Sequence, residues 1–213
     1  MSLTNKEHPI KVLISKGEGV DLDFKQEIQN PRKIAKSMVS FANTQGGVLL
    51  IGVRDNGSIA GIKSEDEVHM LSLAASFFSK PEIRFTVQEY NLEGKTILKV
   101  FIPKGENQPY YAKSDDEKWW VYVRVNDKCI LASKTTVDFM HNRSKPVKMT
   151  LGKLEQSILL FVGGREKTTL DEICNKFNLG KRRTSRILVD LMRLQTIRSH
   201  TTEKTEFYTS TNS

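Results

Sequence analysis

Residues 48–53, Val-Leu-Leu-Ile-Gly-Val, are a near-continuous aliphatic run. A run of that kind reads as a strand buried on both faces, which places it in the middle of a domain rather than at its rim. The flanking residues agree with this. Upstream, Asn30-Pro31 supplies an N-cap and a proline at the first helical position. The apolar set Ile34, Ala35, Met38, Phe41 and Ala42 then continues as one helical face until Gly46-Gly47 ends it. Glycine adopts positive φ at little steric cost, so the pair lets the helix stop abruptly and the chain turn into the buried strand. Downstream, Asp55-Asn56-Gly57 is a turn leading into Ser58–Ile62.

The rest of the first part alternates strand and helix signals. The spacing predicts a strand over Asp21–Ile28, a helix over Glu65–Phe78, and a hairpin of Arg84–Tyr90 with Thr96–Ile102 around Glu93-Gly94. It further predicts a strand over Trp119–Val125, turned by Asn126-Asp127 into Cys129–Leu131, and a helix over 133–142 that closes the domain. Arg143-Ser144-Lys145-Pro146 reads as a linker. The division expected is a domain at 1–143, a linker at 144–149 and a small domain at 150–213.

In the second part, Leu154, Ile158, Leu159 and Val162 form one amphipathic face. Thr169-Leu170-Asp171-Glu172 is a capping box opening a short helix, and Leu179-Gly180 is a turn. A third helix over Lys181–Leu194 directs Ile187, Leu188, Leu191 and Leu194 inward. Ile197–His200 and Thr205–Thr209 then pair as a hairpin. Helix, helix-turn-helix and trailing hairpin together predict a winged-helix domain, with Lys181, Arg182, Arg183, Thr184, Ser185 and Arg186 outward on a recognition helix and Lys204 in the wing loop. Arginine can pair with guanine, and hydroxyls can reach bases or phosphates, so duplex DNA is the default partner and RNA the lesser one.

Charge distribution points the same way. The formal net charge is +8. Residues 1–144 hold 20 basic and 18 acidic side chains, whereas residues 145–213 hold 13 and 7, so most of the surplus sits where polyphosphate would be met. Cys129 and Cys174 are far apart and the four histidines are scattered, which argues against a disulfide framework or a structural zinc site. No apolar run is long enough for a membrane span and the first residues have no signal-peptide character, so a cytoplasmic location and no membrane partner are expected.

Three motifs occur in order: Gly17-Glu18-Gly19-Val20-Asp21-Leu22-Asp23-Phe24-Lys25, then Ser40-Phe41-Ala42-Asn43-Thr44-Gln45-Gly46-Gly47, then Leu50-Ile51-Gly52-Val53-Arg54-Asp55-Asn56-Gly57. Over about residues 13–135 the chain resembles the AlbA-type domain of the Schlafen family, with Tyr122-Val123-Arg124-Val125 as its closing strand. The resemblance implies an α+β fold, an AlbA-like mixed sheet with helices, ahead of the small winged-helix domain. Bacterial members joined to a helix-turn-helix are described as transcriptional regulators, so a DNA-binding regulator is the expected function, and a homodimer would suit two half-sites.

The alternative is a metal-dependent endoribonuclease. In nuclease members three carboxylates at the corresponding motif positions bind metal; here Glu18 is retained, Asp23 stands in place of the usual Glu, and Asp55 matches the end of the third motif. Such a cluster would take Mg²⁺ or Mn²⁺, with Lys25 stabilising developing charge; otherwise no cofactor is expected. Plain alternatives exist for each residue: Asp55 as a turn residue, Asp23 paired to Lys25, Glu18 as a loop charge. Lys113, Lys118, Trp119, Trp120, Tyr122 and Arg124 interleave aromatic and basic side chains and could stack on single-stranded bases, or one tryptophan packs in the core and the charges are solvated.

Overall fold

A computed structural model describes residues 8–62, 65–145 and 151–211. The chain separates into two compact units, the first running to Leu131 and the second beginning at Ala132.

The first unit contains helices α1 (Pro9–Lys16), α2 (Pro31–Asn43) and α3 (Asp66–Ser76) and strands β1 (Leu22–Lys25), β2 (Gly47–Ile51), β3 (Ser79–Lys80), β4 (Thr86–Leu92), β5 (Lys95–Ile102), β6 (Tyr111–Lys113), β7 (Trp119–Trp120), β8 (Tyr122–Val125) and β9 (Lys128–Leu131). Its main sheet has the order β1-β2-β5-β4, with β1 and β2 parallel and the other pairs antiparallel. The aliphatic strand β2 is therefore internal. Leu49 and Ile51 pack on one side with Met38, Phe41, Leu71 and Val100, while Leu50 packs on the other with Ile10, Phe24 and Ile97. Both faces are covered, as the sequence requires.

The turn into β2 shows why two glycines stand there. Gly46 has φ of 82°, and a Cβ at that position would lie 2.8 Å from the Ile102 carbonyl oxygen. A Cβ on Gly47 would sit 2.4 Å from the Phe41 ring. Neither neighbour is free to give way, since one is backbone and the other is a core side chain.

Several sequence expectations change in detail. Helix α1 is additional. Ser58–Ile62 is not a ladder strand; Val53 and Ile59 make one isolated bridge. The stretch Trp119–Val125 divides at Val121, because Trp119–Trp120 pairs with β6 whereas Tyr122–Val125 pairs with β9. Small sheets of order β3-β6-β7 and β8-β9 result.

The second unit comprises α4 (Lys134–Asn142), α5 (Lys153–Gly163), α6 (Leu170–Phe177), α7 (Lys181–Arg193) and the antiparallel pair β10 (Ile197–Thr201) and β11 (Glu206–Ser210). The capping box forms as read, with Thr169 and Glu172 satisfying each other's backbone N–H groups. Ile158, Val162, Ile173, Leu188, Leu191 and Tyr208 fill the core.

The expected boundary moves. Helix α4, expected to close the first domain, belongs to the second unit. The reason is hydrogen bonding. The Glu206 carboxylate on β11 accepts from Ser133 Oγ at 2.7 Å, Thr136 Oγ1 at 2.6 Å and the buried Tyr208 hydroxyl at 2.9 Å. Thr135 and Ser185 hydroxyls meet at 2.9 Å between α4 and α7. Of the expected linker 144–149, residues 146–149 lie outside the described residues. Among the described residues, no helix is long and apolar enough to cross a membrane.

Glu206→Ala leaves two buried hydroxyls, those of Thr136 and Tyr208, without their acceptor, at about 1–3 kcal/mol each. The expected outcome is a fall of roughly 10 °C or more in the second unit's melting midpoint. Both tryptophans lie in the first unit, so far-UV circular dichroism should shift while tryptophan fluorescence melts as in the wild type.

Candidate functional site

Two places in the chain gather the candidate side chains. In the first unit, Glu18 and Asp23 lie together beneath the start of β1. Asp23 is buried, and its carboxylate is fully engaged. Arg124 Nη2 donates to Oδ1 at 3.1 Å, while Lys25 Nζ lies 2.9 Å from Oδ2 and Ser37 Oγ donates to Oδ2 at 3.3 Å. Glu18 Oε1 accepts the Phe24 N–H at 2.7 Å, and its carboxyl neighbours that of Asp23.

Their acidities diverge for this reason. Burial pushes Glu18 above the ordinary carboxylate range, the Phe24 N–H opposes this only in part, and Asp23 raises it further. Burial would raise Asp23 as well, but the Lys25 and Arg124 charges outweigh it and hold Asp23 below its ordinary range. Glu18 is thus the weaker acid of the two and Asp23 the stronger.

Asp55 does not join them. It sits exposed in the Asp55-Asn56-Gly57 turn, and among the described residues no group of three or more His, Cys, Asp or Glu side chains could hold a metal ion. Asp23 is shielded by two cations and a hydroxyl, so its lone pairs are spent inside the protein. The residues present therefore do not fit the Mg²⁺ or Mn²⁺ site that the three-carboxylate arrangement requires. Lys25 is the counter-ion of Asp23.

Arg124 is likewise corrected. Its side chain is 1% exposed, and besides Asp23 it donates to the carbonyls of Gly19 at 2.9 Å and Leu22 at 3.1 Å. A guanidinium so enclosed is not available for a base. Asn43 and Thr44 also reach further than a local turn: Asn43 Nδ2 donates to the carbonyls of Tyr110 and Tyr122, and Thr44 Oγ1 accepts the Arg124 N–H. Trp119 and Trp120 are 39% and 40% exposed, so neither is a core residue. Lys113 pairs with Glu117, and Lys118 with Asp116 at 2.7 Å.

In the second unit, α7 is two-faced. Arg182, Arg183 and Arg186 are exposed, while Ile187, Leu188 and Leu191 are buried. Thr184 and Ser185, expected outward, are buried at 0% and 7% exposure. Thr184 Oγ1 lies 3.3 Å from both the Gly180 carbonyl and Cys174 Sγ. The spacing carried this signal, since Thr184 and Ser185 stand three or four residues before Leu188 and so share its face. Lys181 is paired to Asp171 at 2.8 Å, which raises its pKa. Lys204 is exposed in the β10–β11 loop.

A comparison with family models accords with the first unit's motifs. Residues 18–133, more than half of the chain, match the family described as Schlafen, AlbA_2. The chain belongs to that family. Among solved structures it is similar to the DIP2311 protein of Corynebacterium diphtheriae, at 19% identity and a TM-score of 0.46, over 67% of this chain and 28% of that one. It is also similar to the N-terminal domain of a DNA helicase RecG-related protein from Nitrosomonas europaea, at 21% identity and a TM-score of 0.44, over 60% of this chain and 97% of that one.

Arg124→Met removes one of the two cations on buried Asp23 and takes a donor from the Gly19 and Leu22 carbonyls, and we expect a loss of about 3–5 kcal/mol, read as an earlier tryptophan-fluorescence transition in urea. Glu18→Gln should behave oppositely. A carboxyl whose folded pKa is raised contributes stability below about pH 4 that disappears as pH climbs through the folded value. Glu18→Gln, which cannot ionise, should match or exceed wild-type stability at neutral pH and lose that advantage on acidification.

Proposed function

We propose that the second unit is a winged-helix domain that docks on duplex DNA, and that the protein is a DNA-binding transcriptional regulator. One observation carries the reading: the exposed face of α7 presents Arg182, Arg183 and Arg186 from its first two turns while the opposite face is core. A recognition helix is built this way, because the inward face fixes its pose and the outward face is left for base edges and phosphates. The β10–β11 hairpin, with Lys204 in its loop, stands where a wing would. Thr184, Ser185 and the Asp171-paired Lys181 drop out of the direct contact set. Three arginines and the hairpin lysine remain.

The charge surplus in residues 145–213 supports this, as does the description of bacterial family members that carry a helix-turn-helix. The family's nuclease chemistry is not adopted, because Asp23 is consumed by Arg124 and Lys25 and Asp55 stands apart. A dimer presenting two α7 helices to two half-sites would raise affinity without new contacts.

In fluorescence anisotropy with labelled duplex DNA, the Arg182→Gln, Arg183→Gln, Arg186→Gln triple variant should bind at least about tenfold more weakly near physiological salt, with a shallower salt dependence. An RNA duplex should bind less well than DNA, since its major groove is too narrow for a helix. Equal affinity of triple variant and wild type would end the reading.

A further inference from the structure

Helices α4 and α7 run side by side in the same direction. Near their starts the Thr135 and Ser185 hydroxyls are bonded, and near their ends Arg193 Nη2 donates to the Lys145 carbonyl at 2.5 Å. Between them lies a groove of about 800 Å³. Because the helices are parallel, the residues that open each of them fall at one end of this groove. That end carries Lys134 from α4 and Arg182 and Arg186 from α7. All three are exposed, and among the described residues none of them is held in an ion pair or hydrogen bond. Beyond that end the character changes: Asp138 faces the middle of the groove from α4, and Asp190 is bonded to Arg193 at 2.9 Å further along.

We infer that one sugar–phosphate strand of a DNA duplex crosses the basic end of this groove, and that Lys134 is its phosphate contact on the α4 wall. The inference rests on the proposed docking of α7 and adds to it a second helix. Three unpaired cations facing one gap repel one another, and an anion between them relieves that repulsion. Further along, Asp190 is neutralised by Arg193 and Asp138 adds a negative charge, so the start of the groove is where a polyanion is favoured. The α4 wall is also fixed in place, since Ser133 and Thr136 are bonded to Glu206 beyond the floor. A phosphate contact on such a wall sets register without reading sequence.

The test compares full-length wild type, Lys134→Gln, Lys134→Arg and Lys153→Gln in anisotropy titrations with several unrelated duplexes over a salt series. Lys153 opens α5, is exposed and does not line the groove, so its variant reports the same charge loss elsewhere. Lys134→Gln should weaken binding several-fold by the same factor on every duplex, and reduce the slope of log affinity against log salt by about one. Lys134→Arg should restore both, and Lys153→Gln should leave both unchanged. Wild-type affinity and slope in Lys134→Gln would overturn the assignment, as would an equal loss in Lys153→Gln. The two levels separate cleanly. If Arg182 and Arg186 substitutions weaken binding and Lys134→Gln does not, only the groove assignment falls; if the wild type binds no duplex even at low salt, docking through α7 falls with it.

Discussion

A guanidinium taken out of water must recover several kcal/mol of lost hydration from its surroundings. In this protein Arg124 does so by gathering a carboxylate, two carbonyls and the face of the Phe41 ring. Those partners come from β1 and the segment before it, and from α2, whereas Arg124 itself is on β8. One side chain thereby ties the closing strand to the opening one. Asn43 and Thr44 complete the same junction from the end of α2. The family motifs are thus contacts between segments as much as local turns, and each depends on the others being in place.

That junction also decides the chemistry of the carboxylates. A metal ion and a guanidinium compete for the same lone pairs, and here Arg124 and Lys25 hold them. Burial raises the Glu18 pKa while the Lys25 and Arg124 charges lower that of Asp23, so the two neighbouring carboxyls differ in acidity. The Lys25 and Arg124 charges offset the cost of bringing the two carboxyls together where the loop runs into β1.

The second unit is organised by a different constraint. A thirteen-residue helix with a basic first turn and an apolar later face can bury only one side, and α4, α5 and α6 contest that side. Helix α4 takes its place through hydroxyls: Ser133, Thr135 and Thr136 bond to Glu206 and Ser185. Hydroxyl contacts of that kind fix position without demanding a large apolar face, which is why so short a helix can flank α7 and leave a groove open beside it.

Much of the fold was legible in residue order. The aliphatic run at 48–53, the Gly46-Gly47 stop, the Glu93-Gly94 hairpin turn, the Thr169 capping box and the two-faced spacing of α7 are local signals, and each appears where its period or turn chemistry placed it. The side to which Thr184 and Ser185 turn was also encoded, in their distance from Leu188. What sequence could not supply were pairings across long separations. Nothing local shows that Arg124 closes over Asp23, that Asn43 reaches Tyr110 and Tyr122, or that the helix at 134–142 leaves its sequence neighbours for Glu206. A polar side chain's period reveals which face it occupies, whereas its partner is chosen only when distant segments are folded against it, and desolvation then makes that choice binding.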